Sequence, residues 1–251
     1  MKTKTKTIIK ASVITICALL IIMAAAAGLF YFGILHLNNP QFKGYKVNGV
    51  DVSSYQGDID WRLLSSQKID FAYIKATEGS STVDRCFAYN WQEASKTDLR
   101  IGAYHFFSFE TTGKNQAMNF CSTVKSIPDM LPPVIDVEYY GRFHGKSDID
   151  VDSVKNELRS MIEELTNTYG LKPIIYVSSN TYNDIVKDDF ADCEIWYRSV
   201  YETVPGDITW TFWQYSNRHV LKGYSGTERY VDMNVFSGDK ESFLNKWKRQ
   251  D

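Results

Sequence analysis

From Gly49 onward the sequence returns eight times to a short run of β-branched, aromatic and other apolar residues, and this recurrence limits what the chain can become. The runs are residues 49–53, 71–77, 101–108, 133–139, 173–179, 194–201, 210–216 and 230–236. Most are almost continuously apolar, the pattern of parallel strands covered on both faces. The spacers after the first five hold helical stretches at 59–68, 86–97, 112–127, 151–169 and 181–187. In 151–169, Val154, Leu158, Met161, Ile162 and Leu165 recur at helical spacing, with Asp150 or Asp152 placed to cap the start and Gly170 to stop it. Only eight residues separate Tyr201 from Trp210, too few for a crossover helix. Loops should therefore join the last three strands, with 240–248 as a closing helix. The fold expected is α/β, an irregular (β/α) barrel of eight strands and about five helices. An open doubly wound sheet is the alternative, but no G-x-G-x-x-G loop follows the first strand.

The amino terminus is of another kind. Lys2, Lys4, Lys6 and Lys10 precede 25 uncharged residues, Ala11 to Leu35. About 20 apolar residues span a bilayer as a helix, and a basic flank holds its end in the cytoplasm. The division expected is a basic cytoplasmic tail over 1–10, a transmembrane signal-anchor helix over 11–35, a linker over 36–48 and the barrel over 49–251. A cleaved signal peptide is the competing reading, since residues 24–27 are alanines. Cutting there would leave an apolar new terminus running to Leu35, which favours retention. The chain is then a single-pass protein of the cell membrane with its barrel outside.

Beyond Lys10 the chain carries 24 basic and 30 acidic side chains. A net negative body lacks the basic footprint that nucleic acid needs. The four cysteines and four histidines show no metal-ligand spacing, so no metal and no organic cofactor is expected. His105 reads as a buried, hydrogen-bonded core histidine.

Chemistry points to carboxylates. Asp51, Asp136, Glu138 and Asp232 interrupt the first, fourth and eighth apolar runs, where a charge is expensive unless paired or used. Catalytic groups of such barrels gather at one end, and the first and eighth strands are neighbours in a closed barrel. Asp136 and Glu138, two apart on one strand, face the same way and raise each other's proton affinity. Such a pair can hold a proton near neutral pH for a poor alkoxide leaving group. Internal ion pairs with Lys75 or Arg198 are the alternative. Lys75 and Glu78 fit a site cation with its loop organiser, or a mutual ion pair, equally well. Tyr104, Phe106, Tyr139, Tyr176, Trp196 and Trp213 lie near strand ends, where flat rings with polar tips suit sugars, though barrel cores use the same residues.

The motifs together resemble the glycoside hydrolase family 25 lysozymes. They are Gly49-Val50-Asp51-Val52-Ser53-Ser54-Tyr55-Gln56-Gly57, Phe71-Ala72-Tyr73-Ile74-Lys75-Ala76-Thr77-Glu78-Gly79, Gly102-Ala103-Tyr104-His105-Phe106, Pro133-Val134-Ile135-Asp136-Val137-Glu138, Phe212-Trp213-Gln214-Tyr215 and Val231-Asp232-Met233-Asn234-Val235-Phe236. The resemblance implies an N-acetylmuramidase that hydrolyses the β-1,4 bond between N-acetylmuramic acid and N-acetylglucosamine in peptidoglycan. Glu138 would be its acid, with Asp51, Asp136 and Asp232 as the other active-site carboxylates. Lys75, Tyr104, Phe106, Tyr176, Trp213 and Gln214 form the expected substrate-binding set. Arg198 departs from the small residue that many members carry there. The partners expected are peptidoglycan strands and, through the apolar helix, the membrane. The rival reading is a catalytically inactive glycan-binding or scaffold protein on the same fold.

Overall fold

A computed structural model describes residues 2–31, 35 and 44–248. The chain divides into two bodies, Met1–Leu37 and Asn38–Asp251. The first is one helix, α1 (Lys2–Tyr31), whose 24-residue segment Ile8–Tyr31 contains an 18-residue window of mean hydropathy 2.7, long and apolar enough to cross a bilayer. The helix thus starts within the lysine-rich stretch expected as a tail. Of the expected span, residues 32–34 lie outside the described residues, as does 36–43 of the expected linker. The second body begins ahead of residue 49: Val47 is fully buried, and the Tyr45 ring meets Trp210 edge-on at 5.3 Å.

The second body is built on one sheet of β1 (Asn48–Val52), β2 (Phe71–Glu78), β3 (Thr82–Val83), β4 (Arg100–Phe106), β5 (Val134–Val137), β6 (Ile174–Val177), β7 (Ile195–Arg198), β8 (Phe212–His219) and β9 (Val231–Phe236). β1 pairs with both β2 and β9, so eight of these strands close into the expected barrel. β3 is an addition, a short arm folded back on β2. β9 does not run parallel to the others but antiparallel to both β8 and β1. The loop after His219 turns the chain back on itself, whereas residues 199–211, which hold no helix either, carry it into β8 parallel to β7.

The body helices are α2 (Trp61–Ser65), α3 (Phe87–Ala94), α4 (Gly113–Thr123), α5 (Val151–Tyr169), the three-residue α6 (Ser179–Thr181), which continues as a π turn over Tyr182–Val186, and α7 (Lys240–Asn245). Four begin at a side chain that accepts a backbone N–H three residues on: Asp60 from Leu63, Thr112 from Asn115, Asp150 from Ser153 and Asp239 from Ser242. Each such cap contributes about 1 kcal/mol. Gly170 ends α5 with φ 68°, a left-handed turn that glycine adopts without a Cβ clash.

Strand alternation sorts the core into two layers. Outward residues such as Ile74, Ile101, Ile135 and Ile175 pack with Trp91, Phe120, Leu158 and Met161 from the helices. Inward, Phe71, Tyr73, Trp196, Phe212 and Phe236 fill the barrel, and Phe243 of α7 closes it below. The rings are accommodated by missing side chains: a Cβ on Gly49 would sit 2.3 Å from the Phe71 ring, and one on Gly102 would sit 2.3 Å from Tyr73. This filled, apolar floor leaves the opposite end of the barrel as the place where polar side chains point inward.

Candidate active site

Above that floor, the inward positions nearest the mouth are Asp51 on β1, Lys75 on β2, Tyr104 and Phe106 on β4, Asp136 on β5, Tyr176 on β6, Arg198 on β7, Gln214 on β8 and Asp232 on β9. Glu138 follows one residue beyond β5. The parallel strands deliver these groups near their C-terminal ends. Asp232 reaches the same level near the N-terminal end of β9, because that strand runs the other way. A cleft of about 540 Å³ opens there, lined by Asp51, Lys75, Tyr104, Phe106, Asp136, Glu138, Tyr176, Arg198 and Asp232 among others. Its rim joins two loops: Gln56 donates to the Tyr230 carbonyl at 2.9 Å, and the Glu228 N–H donates to the Tyr55 carbonyl at 2.9 Å.

Asp51 and Asp232 are direct partners across the antiparallel β1/β9 pair. Gln214 Nε2 donates to both, at 3.0 Å to Asp51 Oδ2 and 3.3 Å to Asp232 Oδ2. Asn234 Nδ2 adds a 2.7 Å bond to Asp51 Oδ2. Two further donors hold these amides in place, Tyr176 OH to Gln214 Oε1 at 3.0 Å and Trp196 Nε1 to Asn234 Oδ1 at 2.8 Å. Burial pushes both carboxyls up, Asp232 furthest. The amide donors favour the ionised form of Asp51 and work against its burial, so Asp232 is the more strongly raised of the two.

Asp136 is buried, and its Oδ1 has no hydrogen-bond partner among the described residues. Burial first, and the Glu138 charge second, lift its proton affinity well above the usual carboxylate range. Glu138 is half-buried at the mouth and is also raised, by burial above all and against the opposing charge of Arg198. The arrangement is thus a pair of carboxyls able to hold a proton above the ordinary carboxylate range, with one buried oxygen of Asp136 left without a protein donor.

The remaining expected residues divide. Tyr104, Phe106 and Tyr176 line the cleft. So does Lys75, whose Nζ pairs with Glu78 at 2.7 Å and lies 4.9 Å from the Phe106 ring centre, so the ion pair and the cleft position hold together. Gln214 lies behind the carboxylates and orients them. Trp213 does not line the cleft. Alternation along β8 turns it to the outer layer, where its Nε1 donates to the Ser199 carbonyl at 2.8 Å. Trp196, with the opposite parity, takes the inner place. Asn234 and Tyr140 join the expected set, Asn234 through its bond to Asp51 and Tyr140 as part of the cleft lining. Asn234 carried a usable signal, a polar side chain two residues from Asp232 and so on the same face. His105 is fully buried between Thr77 Oγ1 at 2.7 Å and Gln116 Oε1 at 2.9 Å, and burial lowers it to about 4, leaving it neutral. Among the described residues no cluster of three His, Cys, Asp or Glu side chains is arranged to hold a metal ion.

Residues 50–224 match the model of the glycosyl hydrolases family 25. A family 25 glycosyl hydrolase from Bacillus anthracis is 48% identical, with a TM-score of 0.77 over 84% of this chain and 98% of that one. A bacterial lysozyme from Streptomyces coelicolor is 30% identical, with a TM-score of 0.72 over 80% and 97% of the two chains. Lysozyme M1 of Streptomyces globisporus is 32% identical across 212 residues, covering 79% of this chain and 70% of its own.

Proposed function

The chain belongs to the glycosyl hydrolases family 25, and on that footing we propose that it cleaves the β-1,4 bond between N-acetylmuramic acid and N-acetylglucosamine with net retention. It is a peptidoglycan hydrolase of the lysozyme type, as its family and its lysozyme relatives indicate. The observation that carries the finer reading is the Asp136–Glu138 pair, same-face neighbours at the cleft mouth with a buried, unpartnered oxygen on Asp136. In a two-carboxylate retaining enzyme a nucleophile lies about 5–5.5 Å from the acid, and in an inverting enzyme a base about 6.5–9.5 Å away; substrate-assisted hydrolases are exceptions to this scheme. Same-face neighbours on a strand have Cβ atoms about 6.5–7 Å apart, which does not decide between the first two. The orphaned oxygen supports the third.

In that scheme Glu138 gives its proton to the glycosidic oxygen as the C1–O bond breaks. The carbonyl oxygen of the substrate's own 2-acetamido group closes on C1, forming an oxazolinium ring. The acetamido N–H donates to Asp136 Oδ1, which favours the ionised form of Asp136, leaves the pair's proton to Glu138, and lets the Asp136 charge stabilise the ring. The Glu138 carboxylate then takes a proton from the water that attacks C1, and the ring reopens to a product of unchanged anomeric configuration. Asp51 and Asp232, with Gln214 and Asn234 behind them, shape and charge the wall opposite. Proton NMR of the first products tests the scheme: the β-anomer is expected, and an α-anomer, or a sugar ester trapped on Asp51, Asp136 or Asp232, overturns it.

The apolar Ile8–Tyr31 segment supports a retained single-pass anchor that leaves the barrel on the outer side of the cell membrane, working on nearby wall. Membrane fractionation of the mature protein should recover it in the membrane with its original amino terminus. A soluble mature form starting near Gly28 contradicts this topology.

A further inference from the structure

The cleft is lined by carboxyls, yet the proposed substrate is itself acidic wherever its carboxyl groups are free. An anionic chain entering an acidic cleft needs a local cation to hold it. Two cleft cations are present among the lining residues, Lys75 and Arg198. Lys75 is engaged by Glu78 at 2.7 Å. Arg198 differs. It ends β7, level with Gln214 on β8, and its stem lies in the barrel wall above Trp196. Its guanidinium is half-buried at the mouth and feels the charges of Glu138, Asp232 and Asp51, but it makes no hydrogen bond or ion pair among the described residues. A guanidinium offers five N–H donors in a fork that fits a carboxylate. Here that fork is positioned and unfilled.

We propose that Arg198 is a substrate-anchoring residue that binds a carboxylate carried by the glycan next to the scissile bond, and so sets a preference for acidic over neutral N-acetylated strands. The inference rests on the muramidase reading for the identity of the polymer. The carboxylate has two sources, the lactyl arm of the sugar itself or the peptide attached to it. Either presents the same planar, bidentate acceptor. Lys75, already paired, does not serve as a substitute.

The test measures binding in the full-length chain in detergent, with Glu138→Gln as background to prevent turnover, and compares it with Glu138→Gln/Arg198→Gln. The probes are peptide-stripped glycan strands with free lactyl carboxylates, intact peptide-bearing strands, and each of these after carbodiimide coupling to methylamine, which neutralises the carboxyls. Loss of Arg198 should weaken binding of a carboxylate-bearing probe about 10- to 100-fold, the range of a lost charged hydrogen bond, and weaken its neutralised counterpart far less. Binding of the neutralised probe also reports that the variant is folded. Discrimination on stripped strands assigns the lactyl arm, and discrimination only on intact strands assigns the peptide. Arg198→Lys should restore part of the loss, since it keeps the charge without the fork. An equal loss on charged and neutralised probes overturns the proposal and leaves Arg198 acting only on the enzyme's own acids. Whether the unmutated chain liberates muramic acid ends is read separately, so failure of the muramidase assignment is distinguishable from failure of this one.

Discussion

Asp51 and Asp232 stand opposite each other across the antiparallel seam between β1 and β9, and a single side chain, Gln214, donates to both. A second amide, Asn234, reaches only Asp51. The asymmetry gives Asp51 the greater support for its ionised form and leaves Asp232 the more strongly raised, although both acids are half-buried. On the proposed reading the pair supports substrate position and charge, and Glu138 transfers the proton. Replacing Glu138 with Gln should therefore lower kcat by about 10²–10⁴, the usual scale of general acid catalysis. Asp51→Asn and Asp232→Asn should each lower it by a clearly smaller factor. Steady-state rates on purified peptidoglycan decide this, and a loss from Asp51→Asn equal to that from Glu138→Gln contradicts the division of roles.

The same pair has a consequence for stability. Asp232 has its proton affinity raised in the folded state, chiefly by burial and then by Asp51. A carboxyl with a raised folded pKa contributes stability that is present at low pH and lost as pH rises through the folded value. At neutral pH Asp232 therefore works against the fold. Asp232→Asn should raise the melting temperature at pH 7 by about 2–4 °C while lowering activity, and the gain should shrink toward pH 4. Calorimetry at the two pH values checks the sign; a variant less stable at pH 7 contradicts it.

Activity should follow the protonation of Glu138. Burial, against the opposing charge of Arg198, lifts this acid above its ordinary value of 4.5. The acid works when protonated, so kcat/KM should persist above the ordinary glutamate range and fall only as pH rises further. The apparent pKa of that limb belongs to the coupled cluster of carboxyls as a whole. A basic limb centred at an unshifted 4.5 contradicts the raised acid.

His105 offers an independent check on the core. Its folded pKa of about 4 lies below the unfolded value of 6.5, so the unfolded chain takes up the proton first as pH falls. The stability contributed by the neutral ring is present above about 6.5 and lost progressively down to about 4, a change of about 3 kcal/mol. Urea midpoints of the chain and of His105→Gln, followed over that range, should converge as pH falls. Parallel curves contradict a buried neutral histidine.

Much of this was legible in the sequence because the signals were local. Asp150, the periodic apolar face and Gly170 define α5 from cap to stop, and the acids stand out as charges inside apolar runs. Strand direction is not a local signal. β9 resembles the parallel strands in composition, and the missing crossover helix does not mark its reversal, because β7 and β8 are parallel across a segment without a helix as well. Trp213 and Trp196 are alike as residues, and what separates them is parity along their strands, which places one among the helices and the other in the barrel. The roles of Gln214 and Asn234 were hidden for a related reason. Their chemistry appears only when β8, β9 and β1 are neighbours, a relation across 163 and 183 residues of chain.

The central claim is the bond that is cut. Digesting purified peptidoglycan with the protein, reducing the new ends with borohydride and hydrolysing the products distinguishes the two sugars. The account predicts muramitol, with release abolished in Glu138→Gln. Glucosaminitol as the new end, or no release at all by the unmutated chain, would contradict it.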